Sequence, residues 1–203
     1  MINEADFSAL GLSEEMLAAV QAKGFETPTS IQRLTIPRLL SGENDIIAQS
    51  QTGTGKTAAF GLPLLQRIDP DLHVPQALVL APTRELCLQI AGDLADFSKY
   101  MPRVVVLPVY GGSSIESQIR ALRQGVQIIV ATPGRLIDLM NQRAVDLSQV
   151  QVLVLDEADR MLDMGFLPSV RRIVEATPKS RQTLLFSATI DKGVLDQVDA
   201  MLN

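Results

Sequence analysis

A glycine-rich segment that ends in a lysine and a threonine has the composition of a phosphate-binding loop. It consists of Ser50, Gln51, Thr52, Gly53, Thr54, Gly55, Lys56 and Thr57. Glycines let the backbone curl so that successive N–H groups face phosphate oxygens, and the start of a helix adds partial positive charge. Lys56 can then reach the outer phosphates of a nucleotide, while the Thr57 hydroxyl can bind Mg²⁺. Ser50 replaces the first glycine of the general motif, where a small residue is sufficient. A glycine turn with a chance lysine is the alternative interpretation.

Three carboxylates follow an apolar run farther along the chain and could hold the metal of such a nucleotide. Val152–Leu155 is wholly apolar, and the next four residues include Asp156, Glu157 and Asp159. Ligands of open α/β sheets bind at the carboxyl ends of strands, so we expect this strand to neighbour the strand that leads into the glycine-rich loop. Asp156 would hold Mg²⁺, and Glu157 would orient and deprotonate the water that attacks the outer phosphate. A solvated acidic loop is the alternative.

Alternating apolar runs and helical segments would form the scaffold of this site. Runs of strand length cover Asp45–Ala48, Ala77–Ala81, Val104–Val109, Gln127–Ala131, Val152–Leu155 and Thr183–Phe186. Helical spacing and capping residues cover Lys56–Arg67, Arg84–Lys99, Ser114–Arg123, Gly134–Asn141 and Leu167–Ala176. Strands that are apolar on both faces and alternate with helices predict a doubly wound α/β domain, with a mostly parallel sheet and helices on both faces.

The first part of the chain lies outside this alternation. Ser13 and the two acids after it predict a helix start, and Gly24 predicts its end. A second helix is expected over Ser30–Leu40, where Pro37 should kink or split it. We interpret residues 1–42 as a helical cap over the nucleotide-binding end, belonging to the same domain as residues 43–203.

Composition limits the classes of protein that remain. The chain has 203 residues, 46% of them apolar, a net charge of −5 and one cysteine. It contains no run of roughly 20 apolar residues for a membrane span and no secretory signal at its start. Cys87 cannot form an internal disulfide, which fits a cytoplasmic location, and we expect it to be buried. The acidic balance excludes nucleic-acid binding by bulk positive charge, so any such binding must use a few local contacts.

Seven motifs in chain order resemble those of the DEAD-box family of ATP-dependent RNA helicases, in their N-terminal RecA-like domain. The acidic motif spells D-E-A-D over residues 156–159, and the phosphate loop precedes it. The other motifs are a Q motif over residues 24–32 with Phe7 upstream, Pro82-Thr83-Arg84-Glu85-Leu86, Gly111-Gly112, Thr132-Pro133-Gly134-Arg135, and Ser187-Ala188-Thr189. Phe7 itself is expected to pack in the core.

The resemblance implies a role for each motif, with ATP and Mg²⁺ as cofactors. In the Q motif, Phe25, Thr27 and Gln32 would bind the adenosine: Gln32 has both a donor and an acceptor for adenine, and Phe25 can stack on the base. Single-stranded RNA would lie on exposed N–H groups, a threonine hydroxyl and arginines, which fix its backbone without reading its sequence. These contacts would come from Pro82, Thr83, Arg84, Gly111, Gly112, Thr132, Pro133, Gly134 and Arg135. Asp159, Ser187 and Thr189 would couple hydrolysis to unwinding.

Members of this family also carry a second RecA-like domain, whose arginines complete the γ-phosphate site. Nothing after Thr189 provides such an arginine-rich run. We therefore expect an isolated, monomeric domain that binds nucleotide, hydrolyses it poorly and needs the second domain as a partner to separate RNA strands. Two alternatives stay open: a P-loop ATPase that acts on DNA or on a protein, and an ATP-gated RNA clamp without unwinding activity.

Overall fold

Six short strands form one sheet in the computed structural model, which describes residues 6–50 and 55–202. They are β1 (Ile46–Gln49), β2 (Ala77–Leu80), β3 (Val106–Val109), β4 (Ile128–Ala131), β5 (Val152–Leu155) and β6 (Gln182–Ser187). Every pairing is parallel, and the strand order is β1-β6-β5-β2-β4-β3. Each strand lies within or overlaps a predicted one, so the predicted parallel α/β sheet is confirmed.

Helices connect these strands, as the sequence predicts, and further helices precede β1 and follow β6. Their bounds are α1 (Glu14–Ala22), α2 (Ser30–Ser41), α3 (Lys56–Gln66), α4 (Arg84–Phe97), α5 (Ile115–Gln124), α6 (Pro133–Asn141), α7 (Ala158–Asp163), α8 (Leu167–Glu175) and α9 (Lys192–Val198). The short helices α7 and α9 were not predicted. Six or seven residues give too little periodicity to be read from sequence, and α7 begins inside the acidic motif. No helix in the described ranges is long and apolar enough to cross a bilayer.

The two faces of the sheet bury two separate apolar cores. Alternate residues of each central strand face opposite sides: in β2, Ala77 and Val79 join one core, and Leu78 and Leu80 join the other. The first core includes α1–α4 and a 3₁₀ turn over Phe7–Leu10, and the second includes α5–α9. Phe7 and Cys87 are buried in the first core, as predicted. Each fully buried aliphatic side chain contributes roughly 1.5–3 kcal/mol, so both faces hold the sheet rigidly.

Pro37 was predicted to kink or split the second helix, and the helix passes through it without a split. Proline removes one main-chain hydrogen bond from a helix interior and usually bends or breaks it. Here Ile36 and Leu39 are fully buried in the first core. Tertiary packing of this apolar side offsets the local penalty, because burial outweighs intrinsic propensity.

Buried glutamines pair the polar groups at the amino ends of the strands. Gln76 and Gln127 each precede a strand, and Gln182 begins one. The side chain of Gln182 donates to the Asn44 carbonyl oxygen at 2.7 Å and accepts from Arg67 at 2.7 Å. The other two glutamines bind main-chain groups of neighbouring loops in the same manner. The buried glutamines at this edge of the sheet therefore both donate and accept hydrogen bonds.

Candidate functional site

The phosphate loop joins the carboxyl end of β1 to the start of α3. Ser50 still follows the sheet, since its N–H donates to the Ser187 carbonyl oxygen at 3.0 Å. Gln51, Thr52, Gly53 and Thr54 lie outside the described residues. Gly55 caps α3 with φ 73°, and a Cβ there would lie 2.4 Å from Gln32 Nε2. Glycine is required at this position for both its left-handed backbone and the close approach.

Lys56 and Asp156 meet at this end of the sheet. Lys56 Nζ lies 2.7 Å from Asp156 Oδ1, and both side chains are buried. Their strands are not neighbours, however, and that prediction was wrong: β6 lies between β1 and β5. Two strand spacings amount to about 10 Å, and the long side chain of Lys56, at the start of α3, still reaches Asp156. The two groups thus form one site despite the intervening strand.

The second oxygen of Asp156 has no partner within the described part of the chain. Oδ1 accepts from Lys56 and from the Glu157 N–H at 2.9 Å, whereas Oδ2 is buried and accepts nothing. Burial raises the pKa of Asp156, and the charge of Lys56 opposes that rise. Leaving a buried acceptor unpaired costs about 1–3 kcal/mol. An unpaired carboxylate oxygen beside a lysine and a helix start fits a site for Mg²⁺ and phosphate, because Mg²⁺ binds few carboxylates and shares phosphate oxygens.

Glu157 has an unusual backbone conformation immediately after Asp156. Its φ is 51°, in the left-handed region that few residues other than glycine adopt. Such backbone strain costs on the order of 1–3 kcal/mol and occurs mainly at functional sites. Its carboxylate lies 4.0 Å from Arg160 Nη1, and its side chain is largely buried. The strained turn places Glu157 between Asp156, to which its N–H donates, and the first turn of α7.

The Q motif lines a separate cavity of about 370 Å³, bounded by Gly24, Phe25, Glu26, Thr27, Thr29, Gln32 and Gly55. Phe25 is 36% exposed and available for stacking, with its ring 6.2 Å from that of Phe97. Gln32 is buried: its Oε1 accepts from the Thr29 N–H at 2.9 Å, and its Nε2 donates to the Gly55 carbonyl oxygen at 3.0 Å. Both polar ends of this amide therefore connect the start of α2 to the phosphate loop. The Thr-x-x-Gln spacing of a capping box signals half of that arrangement.

A second cavity of about 380 Å³ extends from the phosphate loop along α4, and sequence reasoning missed several residues that line it. Its wall includes Lys23, Leu86, Gln89, Asp93 and Phe97, together with Lys56, Thr57 and Asp156. Lys23 Nζ lies 2.8 Å from Asp96 and 3.8 Å from Asp93. Burial raises the pKa of Asp93. The charge of Lys23 and a hydrogen bond from Thr57 partly oppose that rise. The i, i+3, i+7 spacing of Leu86, Gln89 and Asp93 on α4 was a signal that they share one side of the helix.

Three further motifs lie at the carboxyl ends of the adjacent strands β2, β4 and β3. Arg84 is exposed, and its guanidinium carbon lies 4.9 Å from the ring centroid of Tyr110. Gly111 and Gly112 are exposed in the loop after β3, and Gly112 has φ 86°. Thr83 caps α4 by accepting from the Leu86 N–H at 3.2 Å. The predicted common edge is therefore present.

The first turn of α6 differs from the prediction. Thr132 caps it without a side-chain hydrogen bond, so its hydroxyl is not used there. Gly134 is exposed, whereas Pro133 is buried, as is Pro82 at the matching position after β2. Arg135 was expected to be exposed, and that prediction was wrong. Its side chain is only 13% exposed and points inward.

The predicted contact between Asp159 and the Ser-Ala-Thr motif is present through Thr189. The Thr189 hydroxyl donates to Asp159 Oδ2 at 3.1 Å, and its N–H does so at 3.3 Å. The Ser187 hydroxyl donates instead to the Thr189 carbonyl oxygen at 2.6 Å. Burial alone would raise the pKa of Asp159, but hydrogen bonds from Thr189 and from backbone N–H groups outweigh it and hold the pKa below its usual value. This contact links α7 to the end of β6.

Comparisons with known proteins point in one direction. A family model described as DEAD/DEAH box helicase matches residues 29–198. The RNA helicase CrhR of Synechocystis sp. is 54% identical over 197 residues, which are 97% of this chain and 39% of that protein. The ATP-dependent RNA helicase DeaD of Escherichia coli is 52% identical over 191 residues, 94% of this chain and 30% of that protein.

A solved structure gives the same result. The crystal structure of a DEAD box protein from the hyperthermophile Methanococcus jannaschii matches with a TM-score of 0.90 and 39% identity, over 98% of this chain and 54% of that chain. This chain therefore spans 30–39% of the length of these two curated relatives and about half of that structure.

Proposed function

Because this chain belongs to the DEAD/DEAH box helicase family, we propose that it is the ATP-binding, N-terminal RecA-like domain of an ATP-dependent RNA helicase. In this proposal residues 1–42 form a cap on the core of residues 43–203. Both curated relatives are named RNA helicases. Their greater length supports a second RecA-like domain as the partner of this one. A cytoplasmic location and a monomeric state of this domain belong to the same proposal.

The observation that carries the proposal is the pairing of Lys56 with Asp156, whose Oδ2 has no partner among residues 6–50 and 55–202. Bound MgATP supplies the phosphoanhydride bond that is cleaved and the Mg²⁺ that neutralises the charge of the phosphate oxygens. Lys56 would exchange its ion pair with Asp156 for the outer phosphates. Asp156 and Thr57 would then face Mg²⁺, with Asp156 Oδ2 as the free acceptor. Glu157 would orient the attacking water and accept its proton.

Adenine and RNA would occupy opposite sides of the phosphate loop. Phe25, Thr27 and Gln32 would hold the adenosine in the cavity of the Q motif. The single-stranded RNA backbone would lie on Arg84, on loop 110–113 and on the first turn of α6, without sequence preference. The contact between Asp159 and Thr189 would couple the two sides. The names of both relatives disfavour the DNA-acting and protein-acting alternatives.

The deciding experiment measures RNA-stimulated ATP hydrolysis by the complete protein, with the second domain, before and after Glu157→Gln. We expect kcat to fall by about 10²–10⁴-fold, because the amide cannot accept the proton of water, while nucleotide affinity is retained. Glu175→Gln, at an exposed position of α8, is the matched control and should leave kcat unchanged. Unchanged turnover in Glu157→Gln would contradict its role as the general base.

Substrate specificity needs a separate measurement. Stimulation by single-stranded DNA equal to that by RNA would favour the DNA-acting alternative. RNA-stimulated hydrolysis without separation of a short RNA duplex would favour the clamp. We expect RNA stimulation and strand separation together.

A further inference from the structure

A buried glutamine on α5 connects two of the strand ends proposed to hold RNA. Gln118 is 4% exposed. Its Nε2 donates to the Tyr110 carbonyl oxygen at 3.2 Å and to Ser113 Oγ at 3.0 Å. Its Oε1 accepts from Arg135 Nη1 at 3.0 Å, and the same nitrogen donates to the Ser113 carbonyl oxygen at 3.0 Å. One side chain thus fixes both ends of loop 110–113 and ties them to the first turn of α6.

The loop held in this way carries unused main-chain donors. The N–H groups of Gly111, Gly112 and Ser113 donate to no acceptor within residues 6–50 and 55–202. Gly111 and Gly112 are exposed. Consecutive free N–H groups in a turn bind anionic oxygens, and backbone phosphates are frequent partners of such groups. The loop therefore has the chemistry for a sugar-phosphate backbone, provided that its conformation is held.

The end of β2 supports the loop from its other side. The Arg84 guanidinium stacks over the Tyr110 ring at 4.9 Å. A Cβ at Gly112 would lie 3.4 Å from Arg84 Nη1, so the arginine also packs closely on the glycine turn. The loop is thus held between Arg84 on one side and Gln118 with Arg135 on the other.

We infer that Gln118 is a positioning residue for the backbone of single-stranded RNA. This inference rests on the RNA partner proposed above. Its amide holds the free N–H groups of loop 110–113 in place and, being buried, does not itself reach the RNA. Arg135 acts with it through contacts inside the protein. Without the amide, the Tyr110 carbonyl group and the Arg135 guanidinium lose a partner at a buried position, and the loop must move to regain hydrogen bonds.

The test replaces Gln118 in the complete protein, with both domains present. Gln118→Met keeps the length and most of the volume of the side chain but removes its polar partners. We expect the KM for single-stranded RNA in the ATPase assay to rise roughly tenfold, the cost of losing a buried hydrogen-bond partner at the site. The kcat at saturating RNA and the Kd for a non-hydrolysable ATP analogue should stay near wild type, since the phosphate loop is untouched.

Two further variants separate positioning from folding. Gln124→Met makes the same change at an exposed position of α5 and should behave as wild type. Gln118→Glu still accepts from Arg135. It can accept from the Ser113 hydroxyl, to which Gln118 donates in the wild type, but it cannot donate to the Tyr110 carbonyl oxygen. Its RNA KM should lie between those of wild type and Gln118→Met. The Gln118→Glu variant decides the question if Gln118→Met unfolds at the assay temperature.

Each outcome has a definite meaning. An RNA KM in Gln118→Glu and in folded Gln118→Met equal to that of wild type overturns the inference while RNA-dependent ATP hydrolysis stands. A loss of kcat and nucleotide affinity in step with the rise in KM marks a general folding defect and also overturns it. Wild-type protein that RNA fails to stimulate overturns the proposed function itself.

Discussion

The two ends of the central sheet differ in how completely their polar groups are paired. At the amino ends, the buried amides of Gln76, Gln127 and Gln182 both donate and accept hydrogen bonds. At the carboxyl ends, one oxygen of Asp156 has no partner among the described residues, and Glu157 has a strained backbone. One end is thus built for stability, and the other keeps polar groups free for ligands at a cost in stability.

Asp156→Asn should have the largest effect of the changes that test this contrast. The substitution keeps the shape of the side chain but removes the charge that would face Mg²⁺. We expect ATP hydrolysis by the complete protein to fall by about 10²–10³-fold, as when one preorganised electrostatic contact is lost. The free energy of unfolding of the 203-residue chain should change much less than the activation free energy of ATP hydrolysis. A variant that keeps its activity but loses stability would break the contrast between the two ends.

Gln182→Ala should produce the opposite pattern at the amino ends. It leaves the Asn44 carbonyl oxygen and Arg67 without their shared partner, and it opens a small void. We expect urea denaturation to show a loss of about 1–3 kcal/mol, with nucleotide affinity unchanged below the unfolding transition. Gln151→Ala is the matched control, because Gln151 precedes β5 at the same edge with an exposed side chain. Equal stability of both variants would show that the amide network contributes nothing.

The smallest expected effect concerns pH. Asp159 has a pKa below the usual 3.8 in the folded chain, so the unfolded chain binds more protons in the acid range. The stabilisation is complete above the unfolded pKa and is lost as pH falls through the lower folded pKa. Urea midpoints of wild type and Asp159→Asn should therefore differ most near pH 6 and converge toward pH 3.

Asp146, in the loop between α6 and β5, provides a comparison. Its pKa is also lowered, by hydrogen bonds from the side chain and the backbone of Ser148. Asp146→Asn should show the same slight convergence at low pH. A difference between wild type and Asp159→Asn that does not vary with pH would rule out the contact with Thr189 as its cause.

The sequence predicts those features that depend on neighbouring residues. Val152–Leu155 followed by two acids indicates a buried strand with ligands at its end, because both signals lie within six residues. The start of α3 at Lys56 follows from the glycines before it. The fold class follows from the alternation of such segments, and the structure confirms it.

Features that depend on distant residues could not be predicted in this way. The place of β6 between β1 and β5 is a matter of topology, which no local pattern encodes. Gln182 bonds to groups 115 to 144 positions away, and a glutamine has no local signature for such a role. Arg135 was expected to be exposed, because a charged residue at a helix start usually is. Its partners, Ser113 and Gln118, lie 22 and 17 positions away.

The insertion of β6 between β1 and β5 places residues 187–189 in contact with both halves of the proposed nucleotide site. On one flank, the Ala188 carbonyl oxygen accepts from Gln49 at 3.1 Å, and that of Ser187 accepts from Ser50. On the other flank, the Thr189 hydroxyl donates a hydrogen bond to Asp159. The width of β6 therefore sets the distance between β1, which leads toward Lys56, and β5, which leads to Asp156 and Glu157.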